Sequence, residues 1–438
     1  MSQRTWILRH LYLRLSTPRS TANGGFILPI VVGMGLLIIL LGLTSLIRAQ
    51  DDQKSATAQK ATNQSLSIAE TGVTRTQALL NRFPSLASVG FDAEGAGDLW
   101  FNAYQKLPCP DNSNTGFLTG EWVKVGNNQS TQDSNEFQIV SYEPIIPPSF
   151  NDAAIAKLQV VGRHKPQKQT ATAEDLTAEV GTSTTALKVD LQLQRVGLAT
   201  LWVNEADLGN NKIAGNAWVN ACTPSSGISA SNLVQPTDPD ESAYTITTNP
   251  GMGFPSIPDI PAGAISIPAI TDTLTLPRAG DSPSSDGRYY YSVSKNGAGY
   301  SIQLTGNREL TIPTGSKVTL FLQGNINMGG TVKVNHEGTP TNLQVYGSSS
   351  TTTITLRGNS KTNMFLFAPE ATVGVSGGGT APPTIVGYVW AKKWSGSNSS
   401  QLMVQAPPSD ADLDLPSEIL SQFYRAGSVR AWQRSEVK

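Results

Sequence analysis

Residues 24–48 read Gly-Gly-Phe-Ile-Leu-Pro-Ile-Val-Val-Gly-Met-Gly-Leu-Leu-Ile-Ile-Leu-Leu-Gly-Leu-Thr-Ser-Leu-Ile-Arg. From Phe26 to Ile47 no side chain is charged. As a helix rising ~1.5 Å per residue the run spans roughly 33 Å, enough to cross a ~30 Å hydrocarbon core. The residues before it carry Arg4, Arg9, Arg14 and Arg19 and no acid. That positive flank predicts a cytoplasmic N-terminus and a single pass, with everything beyond Arg48 exported.

Working outward, three kinds of segment share these features. A cleavable secretory signal has a shorter apolar stretch, of ~7–15 residues, followed by a small-x-small site; here the run is longer and ends in Arg48-Ala49-Gln50-Asp51. A plain signal anchor accounts for the arginines and the hydrophobicity and leaves Gly24-Gly25-Phe26 without a role. A basic polar leader ending in glycine, then Phe and a long apolar helix, resembles the type III (prepilin) signal. That resemblance implies a leader over residues 1–25, cut by prepilin peptidase between Gly25 and Phe26.

Downstream, Arg48 to Phe83 contains no proline and one glycine, Gly72, among Ala, Gln, Lys, Leu and Arg, so helix propensity stays high. Leu66, Ala69, Val73, Leu80 and Phe83 recur at helical spacing and form a stripe that a globular domain can cover. Pro84 stops the run. The expectation is one helix over 26–83, transmembrane over 26–47. The stretch Gln64-Ser-Leu-Ser-Ile-Ala-Glu-Thr-Gly-Val-Thr-Arg-Thr-Gln-Ala-Leu-Leu-Asn81 resembles the Ala-Glu-Ala-Gly segment of PilX-type pilus assembly proteins. Gly-Phe-x-Leu-Pro, at residues 25–29, is similar to the pilin-like members found in cyanobacteria. The resemblance implies an inner-membrane protein whose partners are prepilin peptidase, other pilins or pseudopilins and an inner-membrane assembly platform. It departs from the family at Ile30: major pilins carry Glu at that fifth mature position. An isoleucine there suits a minor pilin or pseudopilin, particularly one at a filament tip.

Composition narrows the exported part. Lys and Arg number 32 against 33 Asp and Glu, so no net field recruits nucleic acid. Charged residues make up 15% of the chain while Gly numbers 40 and Pro 27, the texture of a turn-rich β protein. Cys109 and Cys222 are the only cysteines; in an oxidising compartment they can pair or remain two buried thiols.

Strand-like segments at Glu121–Val125, Glu136–Tyr142, Ala154–Val161 and Leu187–Val196 predict a small antiparallel sheet. In the last of these, Leu187, Val189, Leu191 and Leu193 alternate with Lys188, Asp190, Gln192 and Gln194, the period of a half-buried strand. An α+β head over 84–196, resembling a pilin head, is therefore expected. Beyond it, over 197–409, short apolar runs alternate with corners in which Gly-Asn begins at Gly209, Gly215, Gly306, Gly324 and Gly358. This predicts a mainly β domain, a β-helix or solenoid, with a β-sandwich as the alternative. Residues 223–287 are rich in Pro, Ser and Thr and read as an extended excursion. Residues 410–438 read as a C-terminal tail with a short capping helix.

Nothing in the sequence gathers catalytic groups. Of three histidines His10 lies in the leader, and His164 and His336 stand apart with no ligand spacing. No Asp occurs between Asp286 and Asp410, against the carboxylate clusters that polysaccharide-cleaving β-helices need. Asp111-Asn-Ser-Asn-Thr-Gly116 opens like a calcium loop but has Trp122 at its twelfth position, and Asp410, Asp412 and Asp414 read as a solvated edge. No cofactor or metal site is expected. The expected function is structural and non-enzymatic: a minor pilin or pseudopilin of a type IV pilus or related secretion filament, with an exposed β-rich domain. The alternatives are a membrane-anchored adhesin or glycan-binding protein, with surface polysaccharide as its partner, and an envelope polysaccharide-active enzyme.

Overall fold

The computed structural model describes residues 27–93, 98–110, 115–126, 134–147, 153–165, 182–223, 227–238, 241–335, 338–357, 361–376, 384–396, 402–407 and 414–436. The chain divides into two compact units, Met1–Ala61 with Thr170–Thr182, and Thr62–Gln169 with Ser183–Lys438. One helix, α1, runs Ile27–Arg82. Pro29 is tolerated because it falls in the first turn, where its missing N–H leaves no helical bond unmade. In the first unit the helix shows its apolar side chains to the surroundings: from Ile30 to Ile47 none is buried, and Ile38 is 69% exposed.

In the second unit the predicted stripe is the core of the head. Ala69, Val73, Leu80 and Phe83 are buried with Ile68 and Leu79, and Leu66 packs at the margin. They face an antiparallel sheet of β1 (Phe91–Asp92), β2 (Val123–Lys124), β3 (Ser134–Ile145), β4 (Ala154–Lys165) and β5 (Ser183–Arg195). The alternation read from β5 holds: Leu187, Val189, Leu191 and Leu193 are buried and Lys188 and Gln194 exposed. Helix and sheet meet closely at two glycines. A Cβ on Gly72 would lie 2.6 Å from Val160 Cγ1, and one on Gly162 would lie 2.3 Å from the Ser65 carbonyl oxygen. The buried Ser65 hydroxyl pairs with that of Thr185 at 2.7 Å.

The chain's end departs from the expected tail. A four-residue helix, Ser417–Leu420, is followed by a strand, Tyr424–Glu436, that pairs antiparallel with β5. Tyr424 lies opposite Arg195, and the Val196 N–H donates to the Phe423 carbonyl at 2.8 Å. The head sheet is thus completed from both sides of a long insertion, whose two ends meet at one point.

That insertion is mostly β. Seventeen strands join one sheet network, and its pairings among the described residues are parallel; the antiparallel hairpins of a sandwich are not found there. Three files of strands recur along the chain. Arg288–Val293 pairs with Lys317–Leu322 and then Leu343–Gly347. Tyr300–Gly306 pairs with Asn325–Gly330 and then Thr353–Arg357. Leu274–Thr275 pairs with Glu309–Thr311 and then Lys333–Val334. The long strands Lys361–Ser376 and Thr384–Gly396 each serve more than one file. Inward residues repeat in register: Ile302, Ile326, Ile354, Val373 and Trp394 follow one another through the core. The earliest strands lie beside the latest, since Leu201–Asp207 pairs with Thr384–Gly396. The expected excursion over 223–287 contributes short strands of its own, Ile246–Thr248, Ile265–Ile267 and Leu274–Thr275.

Candidate functional site

Two regions carry features beyond ordinary packing: the apolar surface of α1, and the joint between head and insertion in the second unit. On α1 the run Ile30–Ile47 has no charge, and the span satisfies the length and composition of a membrane-crossing helix. Ile30 itself is 53% exposed. Gly25 and Phe26 lie outside the described residues.

The joint is built in layers. At the end of α1, Gly251 takes φ +70°, and a Cβ there would lie 2.0 Å from the Arg82 carbonyl oxygen, so the insertion's backbone touches the helix terminus where only glycine fits. Beside it the Ser85 hydroxyl donates to the Gly251 carbonyl. Cys109 of the head and Cys222 of the insertion are joined in a disulfide with Cα atoms 5.4 Å apart.

Next comes an outward-facing ladder of rings. Phe321, Tyr346, Phe367, Trp390, Trp202 and Trp218 are successive register partners on adjacent parallel strands. Neighbours pack at centroid distances of 5.5 Å for Phe321 and Tyr346 and 5.2 Å for Trp390 and Trp202, within the range of favourable aromatic pairs. The ladder is buried beneath Met252 and the strap Leu415–Phe423, with the Phe423 ring 5.4 Å from Trp390. Two of the ladder's indole N–H groups have partners: Trp202 donates to Asn220 Oδ1 at 2.8 Å and Trp390 to the Ala199 carbonyl at 2.9 Å. Burial pushes the Tyr346 hydroxyl well above the usual phenol range.

A charged clasp holds the strap. Arg288, with 5% of its side chain exposed, donates to Asp414 Oδ2 at 2.7 Å and to the carbonyls of Val318 and Thr341 at 3.3 Å each. Lys317 reaches the same carboxylate at 2.8 Å. Burial alone would raise the Asp414 pKa; the Lys317 hydrogen bond and the Arg288 charge outweigh it and hold the carboxyl below its ordinary value. Asp414 is exposed, as the edge reading expected, and it serves in addition as the acid of an ion-paired clasp.

Asp111–Asn114 of the calcium-like string, His336, Asp410 and Asp412 lie outside the described residues. His164 Nδ1 pairs with Asn135 Oδ1 at 2.7 Å in a buried cross-strand contact, and Trp122 packs under the Arg163 guanidinium at 3.7 Å. Among the described residues no three His, Cys, Asp or Glu side chains come together as a metal site. The sequence reading missed the clasp and the ladder. Single aromatics recurring at intervals of 21–25 residues, Phe321, Tyr346, Phe367 and Trp390, were the available signal for the ladder.

With this geometry in view, comparison with known proteins adds the following. Residues 297–405 match a family described as a Domain of unknown function (DUF7305). No curated protein matches the chain. Among solved structures, the competence-associated pilin ComZ from Thermus thermophilus is similar over 86% of this chain and 98% of that chain, at 12% identity and a TM-score of 0.33. A likeness that slight carries no weight for fold or function.

Proposed function

We propose that the chain is a minor pilin or pseudopilin: a structural, non-catalytic subunit of a type IV pilus or related secretion filament. It would sit in the inner membrane with its N-terminus cytoplasmic and its β-rich insertion on the far side. The observation that carries this reading is the double use of α1. Its first half offers an uncharged apolar surface over Ile30–Ile47, and its second half fills the core of an antiparallel head sheet with Ile68, Val73, Leu80 and Phe83. A plain anchor needs only the first, and a plain α+β domain only the second.

The parallel, in-register files support reading the insertion as a β-helix. Ile30 leaves the subunit without the carboxylate that major pilins would offer a neighbour's N-terminal amine. That favours an initiating or terminal place over indefinite repetition. Prepilin peptidase, other pilins and an assembly platform are the partners this implies, and surface polysaccharide is a candidate ligand of the β-rich part. The test is N-terminal sequencing of the protein from its native membrane. A start at Phe26, lost when Gly25 is replaced by Leu, supports the reading. A start at Met1 would favour a membrane-anchored adhesin, and one near Asp51 an ordinary secreted protein.

A further inference from the structure

The backbone crosses the joint between head and insertion twice, from Arg195 to Leu201 and from Phe423 to Tyr424, and the Cys109–Cys222 disulfide crosses it once more. Both backbone crossings leave the head at the same place, since Tyr424 lies opposite Arg195. Tension arriving there pulls β5 and the strand Tyr424–Glu436 along their own axes, and among the described residues that second strand is paired with β5 alone. The disulfide reaches α1 by another way. From Arg82 the chain passes the buried Leu86 and Ala87 and the helix Asp98–Gln105 before Cys109. This stretch is pinned in the head core. Trp100 and Tyr104 are fully buried, the Trp100 indole donates to the Val89 carbonyl at 2.7 Å, and the Tyr142 hydroxyl donates to the Ala87 carbonyl at 2.7 Å.

What the bond bypasses gives it a role beyond general stability. Between Cys109 and Cys222 lie β2 to β5 and the insertion's first strands, Leu201–Asp207, Lys212–Ala214 and Ala217–Val219. These include both places where the fold closes on residues far along the chain: β5 against Tyr424–Glu436, and Leu201–Asp207 against Thr384–Gly396. Neither closure is covalent. A pull on the insertion that travels by the backbone loads both closures, whereas one that travels through the disulfide passes them by. We propose that the disulfide is a load-bearing staple, which carries tension between α1 and the insertion and keeps β5 and the seam strands out of the loaded path. Such a staple serves a subunit pulled through its helix, so its use rests on the filament reading. The staple itself is tested by force on the purified chain, and its failure there would leave the N-terminal processing test untouched.

The experiment pulls the full chain in detergent with optical tweezers, through azide-bearing residues placed at exposed positions so that no cysteine is added. One pair of handles, at Asn63 on α1 and Val234 on the insertion, spans the joint; a second pair, at Val234 and Lys295, lies within the insertion, beyond the disulfide. Forced rupture reads the unfolding rate of whatever lies in the loaded path. Across the joint, the Cys109→Ser, Cys222→Ser double variant should give way at lower force than the parent. It should also release about 370–410 Å more chain, at ~3.3–3.6 Å per residue over the separation of 113 residues. Within the insertion, parent and variant should rupture at the same force. Equal first-rupture forces across the joint would overturn the proposal, because the noncovalent contacts would then carry the load. Equal weakening in both geometries would overturn it too, because the bond would then be a general stabiliser and not a staple. If the double variant does not fold, the folded parent treated with a phosphine reductant takes its place, since Cys222 is exposed, and the same outcomes decide.

Discussion

Replacing Gly162 by alanine tests whether α1 is seated on the head sheet as closely as described. The new Cβ would fall 2.3 Å from the Ser65 carbonyl oxygen and 2.4 Å from the Ala69 nitrogen, whereas ordinary contact begins near 3.4 Å. Both obstacles are backbone, so no side-chain rotation relieves the overlap and the helix must lift by about 1 Å. Overpacking of this kind costs about 1–3 kcal/mol. Lifting also stretches the buried 2.7 Å hydrogen bond between Ser65 and Thr185, which contributes about 1 kcal/mol. The expected loss is about 2–4 kcal/mol, or roughly 5–15 °C in the head's unfolding temperature at the few degrees per kcal/mol typical of domains this size. Gly197→Ala is the control, because nothing lies within 4 Å of its Cβ and its φ is not in the left-handed region. The assay is calorimetric unfolding of a chain beginning at Thr62, read beside the two variants. Equal transitions for Gly162→Ala and the parent would refute the close seating of helix on sheet.

Shortening the N-terminus further, to Pro84, removes Ile68, Val73, Leu79, Leu80 and Phe83 from the core; at about 1.5–3 kcal/mol each the loss equals or exceeds a typical domain's stability, so circular dichroism should show the head unfolded. Gly251→Ala forces a left-handed φ on a residue with a Cβ, costing about 1–2 kcal/mol before the clash with the Arg82 carbonyl is counted, and should loosen the joint as read by faster proteolysis between head and insertion. Replacing Cys109 and Cys222 together by serine opens a link spanning 113 residues and should lower stability by up to about 4–5 kcal/mol on the chain-entropy account, measured by denaturant unfolding. The Asp414 carboxyl is held below its ordinary value, so its contribution is fully present above the unfolded value of 3.8 and is lost as pH falls through the depressed folded value. The strap Leu415–Phe423 should therefore loosen in acid, and Asp414→Asn should weaken it at neutral pH and erase that pH dependence in hydrogen exchange.

What could be read in advance was local. The stripe of Ala69, Val73, Leu80 and Phe83 announces itself by helical spacing, and β5 by strict alternation, because each pattern lies within one element facing one core. The C-terminal strand was misread for a physical reason. Its Ala426-Gly-Ser-Val-Arg430 portion breaks the alternation at the register shifts, and Arg430–Arg434 are exposed, so no apolar period marks it. Its partner, β5, is separated from it by the whole insertion. Arg288–Val293 went unread because its consecutive Tyr289, Tyr290 and Tyr291 face different surroundings: Tyr291 is buried in the interior while Tyr290 lies against the outer aromatic cluster. The Arg288 to Asp414 clasp joins residues 126 positions apart, and a lone Arg and a lone Asp carry no periodic signal at all.

The arrangement of the insertion follows from where its ends must be. β5 stops at Arg195 and the strand that completes the sheet begins at Tyr424, directly opposite, so a chain leaving the head must return to the point of departure. A stack that simply grew away would leave its last coil far from the head. Here the strands Leu201–Asp207, Lys212–Ala214 and Ala217–Val219 are laid down first, further strands follow from Ile265–Ile267, and the last two, Thr384–Gly396 and Met403–Gln405, arrive beside Leu201–Asp207 and Lys212–Ala214. First and last strands become neighbours, so Val196 and Phe423 can share a hydrogen bond without a long connection. The aromatic ladder then has a direct reason. Phe367, Trp390, Trp202 and Trp218 run across the seam where late strands meet early ones. Ring packing beneath the strap welds two stretches of chain that loop-closure entropy would otherwise keep apart.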